Sequence, residues 1–279
     1  MRALGVDVGV RRGLDLVVLD EHRVPFVVRS RAGLEDLERL VRELVPDVIA
    51  VDAPSRWATD GRSRLTENEL ARLNIHSLRT PSKAHAARPA FDWMRAGMRV
   101  YERTDHLGYP LFDGSAVRGR TLEVFPHASA VVLAGCLPPT GMPKRAWREH
   151  VLRLQGVRTD DLTTLDRLDA ALAALTGLRA LEGHHTHLGD PREGVIVVPA
   201  RALAPRYRPG ELGEDGRGQL FAWCACGDPG CRRLVRAGRE FAPGHDAKRK
   251  SQLWRDVRAG ERARRELARR GWEPPPEVG

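Results

Sequence analysis

The chain has 279 residues, 42% of them apolar and 30% charged, so it can bury a sizeable core and does not have the composition of a disordered segment. It contains no apolar run near the ~18 residues a membrane-spanning helix needs. Its first residues, MRALGVDVG, place an acid and glycines where a signal peptide would be apolar, which leads to the expectation of a cytoplasmic protein. The net charge is +9, which is either the footprint of a nucleic-acid binder or the ordinary composition of an arginine-rich protein; residues 216–279 carry +7 of it and the rest only +2, so the basicity belongs to the last quarter of the chain.

Residues Ala3 to Val8 alternate small or acidic side chains with apolar ones, which predicts a strand. Gly9 and Gly13 bracket a turn, Leu14–Leu19 predicts a second strand, and Val24–Val28 a third after the polar turn Asp20-Glu21-His22. Strands this closely spaced form an antiparallel meander. Leu34, Leu37, Leu40, Val41 and Leu44 then recur at helical spacing until Pro46. Residues 47–53 (DVIAVDA) read as a short buried strand reached by a crossover.

The segment from Pro54 to Ala116 is irregular and polar, with helices expected near Thr66–Leu73 and Phe91–Arg103 and a basic turn at Pro81-Ser82-Lys83. Thr121–Phe125 predicts a strand, Lys144–Leu154 a helix, Leu165–Leu181 a long helix, and Val195–Val198 a final strand. His184, His185 and His187 read as exposed residues of a loop after the long helix. Pro205–Gly218 reads as a linker.

Two aspartates, Asp7 and Asp52, fall near the C-terminal ends of apolar strands, where strand propensity disfavours them. Each alone reads as a turn cap, before Gly9 and before Pro54. As a pair at the carboxyl ends of neighbouring strands they read as a pocket for a hard divalent cation. Glu123 lies mid-strand and is a third candidate, its duller reading being a solvated strand face. On the long helix, Leu165, Leu168, Leu172 and Leu175 share a face; Asp169 falls at its edge and Asp166 points toward solvent, so Asp169 is the expected functional acid. Arg62, Arg72, Arg79 and Lys83 are either phosphate contacts or ordinary surface charge.

At this point the chain resembles the RNase H-like superfamily and, more closely, the domain of unknown function 429 family, described as predicted RNase H-like nucleases. The matching stretches are GVDVGVRRG (5–13), VIAVDAPS (48–55), ENELARLNI (67–75), TPS (80–82), EVFPHAS (123–129), LDAALAALTG (168–177) and EGVIVVP (193–199). The resemblance implies an α/β fold, with a mixed sheet of three antiparallel strands followed by parallel ones, flanked by helices, over residues 1–204. It further implies a metal-dependent nuclease in which Asp7, Asp52, Glu123 and Asp169 hold two Mg²⁺ or Mn²⁺ ions ~4 Å apart, Asp7 bridging them. Two competing readings are an inactive nucleic-acid-binding adaptor and a small-molecule phosphotransferase on the same fold.

Cys224, Cys226, Cys231 and His245 supply three thiolates and an imidazole, a full set for a closed structural Zn²⁺ site within residues 219–250. The C-x-C spacing departs from the commoner C-x2-C knuckle. Residues 251–279 read as a basic helical tail, with arginines at 255, 258, 262, 265 and 269 in one stripe that either follows a phosphate backbone or is simply solvated. The stretch 241–253 is similar to a C-terminal module that follows C-x-C-G runs in bacterial and phage proteins. The expected partner is nucleic acid, DNA or RNA; no membrane is expected.

Overall fold

A computed structural model describes residues 1–9 and 12–210 together with two short strands at 221–223 and 234–236. The proposed zinc ligands Cys224, Cys226, Cys231 and His245 and the basic tail lie outside the described residues. Met1–Pro138 and Met142–Pro209 make one compact unit; Pro139–Gly141 and Gly210–Gly279 make a second.

The first unit is built on a seven-stranded sheet. The meander forms as expected: β1 (Arg2–Gly9), β2 (Gly13–Asp20) and β3 (Pro25–Ala32) pair antiparallel. Helix α1 (Leu34–Leu44) crosses over to β4 (Val48–Asp52), which lies parallel to β1. After α2 (Leu65–Arg72) and α3 (Asp92–His106) come β5 (Thr121–Val124), α4 (Pro126–Ala134), α5 (Lys144–Leu154) and α6 (Leu165–Leu181). The unit ends with β6 (Thr186–Asp190) and β7 (Gly194–Val198). The strand order is β3-β2-β1-β4-β5-β7-β6, with β1, β4, β5 and β7 parallel and β6 antiparallel at the far edge. This is the mixed sheet expected from the sequence, three antiparallel strands followed by parallel ones with helices flanking it. In the second unit, β8 (Phe221–Trp223) and β9 (Leu234–Arg236) pair antiparallel.

Two elements differ from expectation. The run 126–134 is a helix, opened by a proline at its first position and closed by Gly135 in the left-handed conformation. The segment holding His187 is an edge strand rather than a loop.

The alternation in β1 decides which layer covers which face. Leu4, Val6 and Val8 join Leu14, Leu16, Val18, Ile49 and Val51 in a core shared with Leu37, Leu40 and Val41 of α1 and with Val100 and Tyr101 of α3. Ala3, Gly5 and Asp7 point to the opposite face, where α6 lies. Small residues let that helix approach closely. A Cβ at Gly5 would collide with the carbonyl oxygen of Ala170 and the amide nitrogen of Ala174, and one at Gly177 would press on Val48 and Ala3. The face of α6 that meets the sheet is therefore Ala170, Ala174 and Gly177, not the leucine stripe; the helix is buried on nearly every side from Ala170 to Leu178.

Candidate active site

The register of the sheet lines up three acids. Asp7 of β1 stands directly opposite Asp15 of β2 and beside Asp52 of β4, so the three side chains emerge on one face near the C-terminal ends of β1 and β4. Helix α6 adds two more. Its small-residue stripe, counted back four residues from Ala170, reaches Asp166, and Asp169 follows one turn on. Asp166 thus lies on the sheet side of α6 with its side chain still 38% exposed, a correction that follows from the helix packing through alanine and glycine instead of leucine. The carboxylate oxygens of Asp7, Asp15 and Asp166 lie within 4.8 Å of one another. Asp15 is buried, 5% exposed, and accepts a hydrogen bond from the Ser30 hydroxyl.

Among the described residues, the charges in this cluster are short of positive partners. Burial is the main force that raises the pKa of Asp7, to about 8, with Asp169, Asp166 and Asp15 adding repulsion; a side-chain hydrogen bond with Asp52 works the other way. Asp52 is raised well above the ordinary carboxylate range, again by burial first and then by Asp7 and Asp169, with Arg148 opposing. Burial also raises Asp169, against the pull of Arg148. Arg148, buried on α5, donates Nε to Asp169 Oδ1 at 2.6 Å and meets Nδ1 of His127 at 3.1 Å. Tyr101 donates its hydroxyl to the carbonyl of Ala53 at 2.8 Å and so fixes the chain where it leaves β4 after Asp52.

Glu123 does not join the cluster. Both its oxygens face the guanidinium of Arg64, at 2.6 and 3.0 Å, and one also accepts from the amide (2.9 Å) and hydroxyl (2.7 Å) of Ser55. It is 2% exposed, with three donors on Oε2 and the Arg64 Nη2 on Oε1, so its charge is already matched by a buried guanidinium. Arg64 is itself 1% exposed and binds Glu67 at 3.1 Å through Nε and the carbonyl of Glu193 at 3.1 Å. Glu67 accepts from the amide of Thr80 at 2.9 Å, and Glu193 from the amides of Thr59 (2.7 Å) and Leu65 (3.0 Å). Gly194 sits at φ 88°, where a side chain would strike Ser55 and Glu123. The expected ligand is a structural tie instead.

Of the four acids expected from the sequence, the fold therefore brings Asp7, Asp52 and Asp169 together, excludes Glu123, and adds Asp15 and Asp166. Asp15 had a sequence signal: the glycines that bracket the turn set Gly9 against Gly13, and counting back two positions pairs Asp7 with Asp15. Arg62, Arg72, Arg79 and Lys83 are all exposed. His187, on β6, and His185, just before that strand, set their rings edge-on to Phe112.

The donor set suits a divalent cation. All five groups offer hard carboxylate oxygens, and their mutual repulsion in a buried place is what a cation relieves.

Residues 5–193 match the family described as protein of unknown function DUF429, and the chain belongs to that family. Among solved structures it is similar to RuvC of Thermus thermophilus in complex with a Holliday junction substrate. The identity there is 16% over 66% of this chain and 96% of that chain, with a TM-score of 0.38. It is similar also to a second Thermus thermophilus RuvC structure, at 14% identity over 66% and 97%, with a TM-score of 0.37. No curated protein matches the chain.

Proposed function

We propose that this member of the DUF429 family is a divalent-metal-dependent nuclease that hydrolyses phosphodiester bonds in nucleic acid. One observation carries the reading: five aspartates from three strands and one helix converge where the central parallel strands end, with one buried guanidinium, Arg148, among the described residues to compensate them. Buried carboxylates are ordinarily paired one for one; the repulsion left over here is costly unless a cation joins them.

Asp7, Asp15 and Asp166 would hold Mg²⁺ or Mn²⁺, with Asp52 and Asp169 alongside. Such an ion supplies Lewis acidity to a phosphoryl oxygen and lowers the pKa of water. The residues of the chain do the remainder. Asp7, at the centre of the array, interacts with every other acid in it and sets its register. Arg148 holds a fixed positive charge against Asp169, Nε to Oδ1 at 2.6 Å, and so orients that carboxylate. Burial and then Arg148, Lys144 and His76 hold His127 down to a pKa of about 4, so its ring stays neutral and its Nδ1 accepts from Arg148, which fixes that guanidinium in place. The net +7 of residues 216–279 would supply affinity for the backbone, and the Cys224, Cys226, Cys231 and His245 set would bind Zn²⁺ to stabilise that segment.

The test is cleavage of single-stranded, duplex and branched DNA and RNA with Mg²⁺ or Mn²⁺, run beside Asp7→Asn. Metal-dependent cleavage lost in the variant is the expected result. Salt-sensitive binding with no cleavage by either protein would replace this reading with that of a binding adaptor.

A further inference from the structure

The acidic array is not uniform. On one side, Asp7, Asp15 and Asp166 bring their oxygens within 4.8 Å of one another, and the guanidinium that pairs there, Arg12 to Asp166 at 3.7 Å, is 78% exposed. On the other side, Asp169 already has a buried cation. Arg148 is 5% exposed as a residue, its side chain 6%, and its Nε lies 2.6 Å from Asp169 Oδ1. Its Nη1 donates to Nδ1 of His127 at 3.1 Å, so the guanidinium is held from two directions and cannot swing out without leaving both a carboxylate and an imidazole unpartnered. The residue before it, Trp147, is 2% exposed and anchors that turn of α5 in the core. Arginine keeps its charge at any working pH, so this cation is permanent.

We infer that Arg148 is a built-in second cation of the centre, so that the chain takes one divalent ion, beside Asp7, Asp15 and Asp166, and not two. This rests on the metal-dependent reading above. The physical argument is one of exclusion and substitution. An ion placed on the Asp52 and Asp169 side would meet a fixed positive charge already in hydrogen-bond contact with one of its ligands, in a place where burial weakens screening. The guanidinium supplies Asp169 with the compensating charge that such an ion would supply, and it needs no reorganisation to do so. Arg148 is in this sense a positioning residue: it fixes where Asp169 points and how many ions the array accepts.

The experiment counts ions rather than turnover. Full-length protein is titrated with Mn²⁺ by calorimetry and by electron paramagnetic resonance, and the ions assigned to the array are those lost in Asp7→Asn. The expected result is one magnetically isolated Mn²⁺ per chain in the wild type and in Arg148→Lys, and two Mn²⁺ with a spin-coupled spectrum in Arg148→Gln. Should Arg148→Gln fail to fold by circular dichroism, Arg148→Met, which keeps the aliphatic stem and removes the charge, takes its place with the same expected result. A coupled pair in the wild type, or a single ion retained by folded Arg148→Gln, overturns the role of Arg148 while leaving a metal centre in place. No ion lost in Asp7→Asn overturns the metal-dependent reading itself and this inference with it.

Discussion

Two groups of buried acids sit side by side in this protein, and they are handled in opposite ways. Around Arg64, burial works against the guanidinium's charge, but Glu123 and Glu67 outweigh it and raise its pKa. Partial burial likewise works against Glu193, but the amides of Thr59 and Leu65 outweigh it and hold its pKa down. There each charge has a partner and nearly each lone pair a donor. Around Asp7, five carboxylates share one buried guanidinium, and the pKa values of Asp7, Asp52 and Asp169 all rise. Burial is common to both groups. What separates the two groups is how fully the fold supplies the compensating charge.

The sharpest way to break the contrast is Asp7→Asn. Metal-dependent cleavage should fall on the order of 10³-fold or more, since each 1.4 kcal/mol of lost stabilisation is about tenfold and a bound ion contributes several. The same change should raise the melting temperature of the metal-free protein, because it removes repulsion. A stabilised variant with full activity would show that the uncompensated group is not the reacting one.

The compensated group should respond the other way. Arg64→Ala leaves Glu123 and Glu67 buried without a cation and should cost about 3–5 kcal/mol in urea unfolding. A loss under ~1 kcal/mol would mean that the two groups are less different than their geometry implies.

The third prediction concerns pH. The folded pKa of Asp7 is about 8 against an ordinary value of 3.8, so the native state keeps a proton that the unfolded chain has released, and metal-free stability falls as pH rises through that window. His127 contributes the opposite slope, but only between about 4 and 6.5, where it is charged in the unfolded chain and neutral in the fold. Between pH 7 and 8.5 the Asp7 effect stands alone of the two. There the melting temperature of metal-free protein should drop, the stabilisation by Mn²⁺ should grow, and both trends should shrink in Asp7→Asn. A flat profile over that interval would contradict the raised pKa.

The smallest effect is the most discriminating for Glu123. Glu123→Gln keeps the shape, gives up a charged partner of Arg64, and should cost about 1–3 kcal/mol of stability while leaving Mn²⁺ affinity unchanged. Weakened Mn²⁺ binding would return Glu123 to the set of ligands that its place in the sequence suggested.

Most of the fold was legible because its signals are local. The alternation of β1, the turn between Gly9 and Gly13, the leucine spacing of α1 and the apolar run of β4 each specify an element from neighbouring residues alone. Asp7 and Asp52 were legible for the same reason, as acids where a strand tolerates them poorly. The helix at 126–134 was missed because the continuous apolar run ASAVVLA has no periodicity to read. The edge strand at 186–190 carries histidine, glycine and aspartate and little β propensity, and it is specified mainly by its pairing with β7.

The sequence by itself thus determined the layers, the order of the early strands and the two acids on them. Three things were decided only in the folded chain. Asp15 entered the site through cross-strand register, and Asp166 through the choice of which face of α6 meets the sheet. Glu123 left it because Arg64, 59 residues earlier in the chain, reaches it first. Each of these is a question of which charge ends up beside which, and Coulomb interactions depend on distance in space, which no local pattern of residue types encodes.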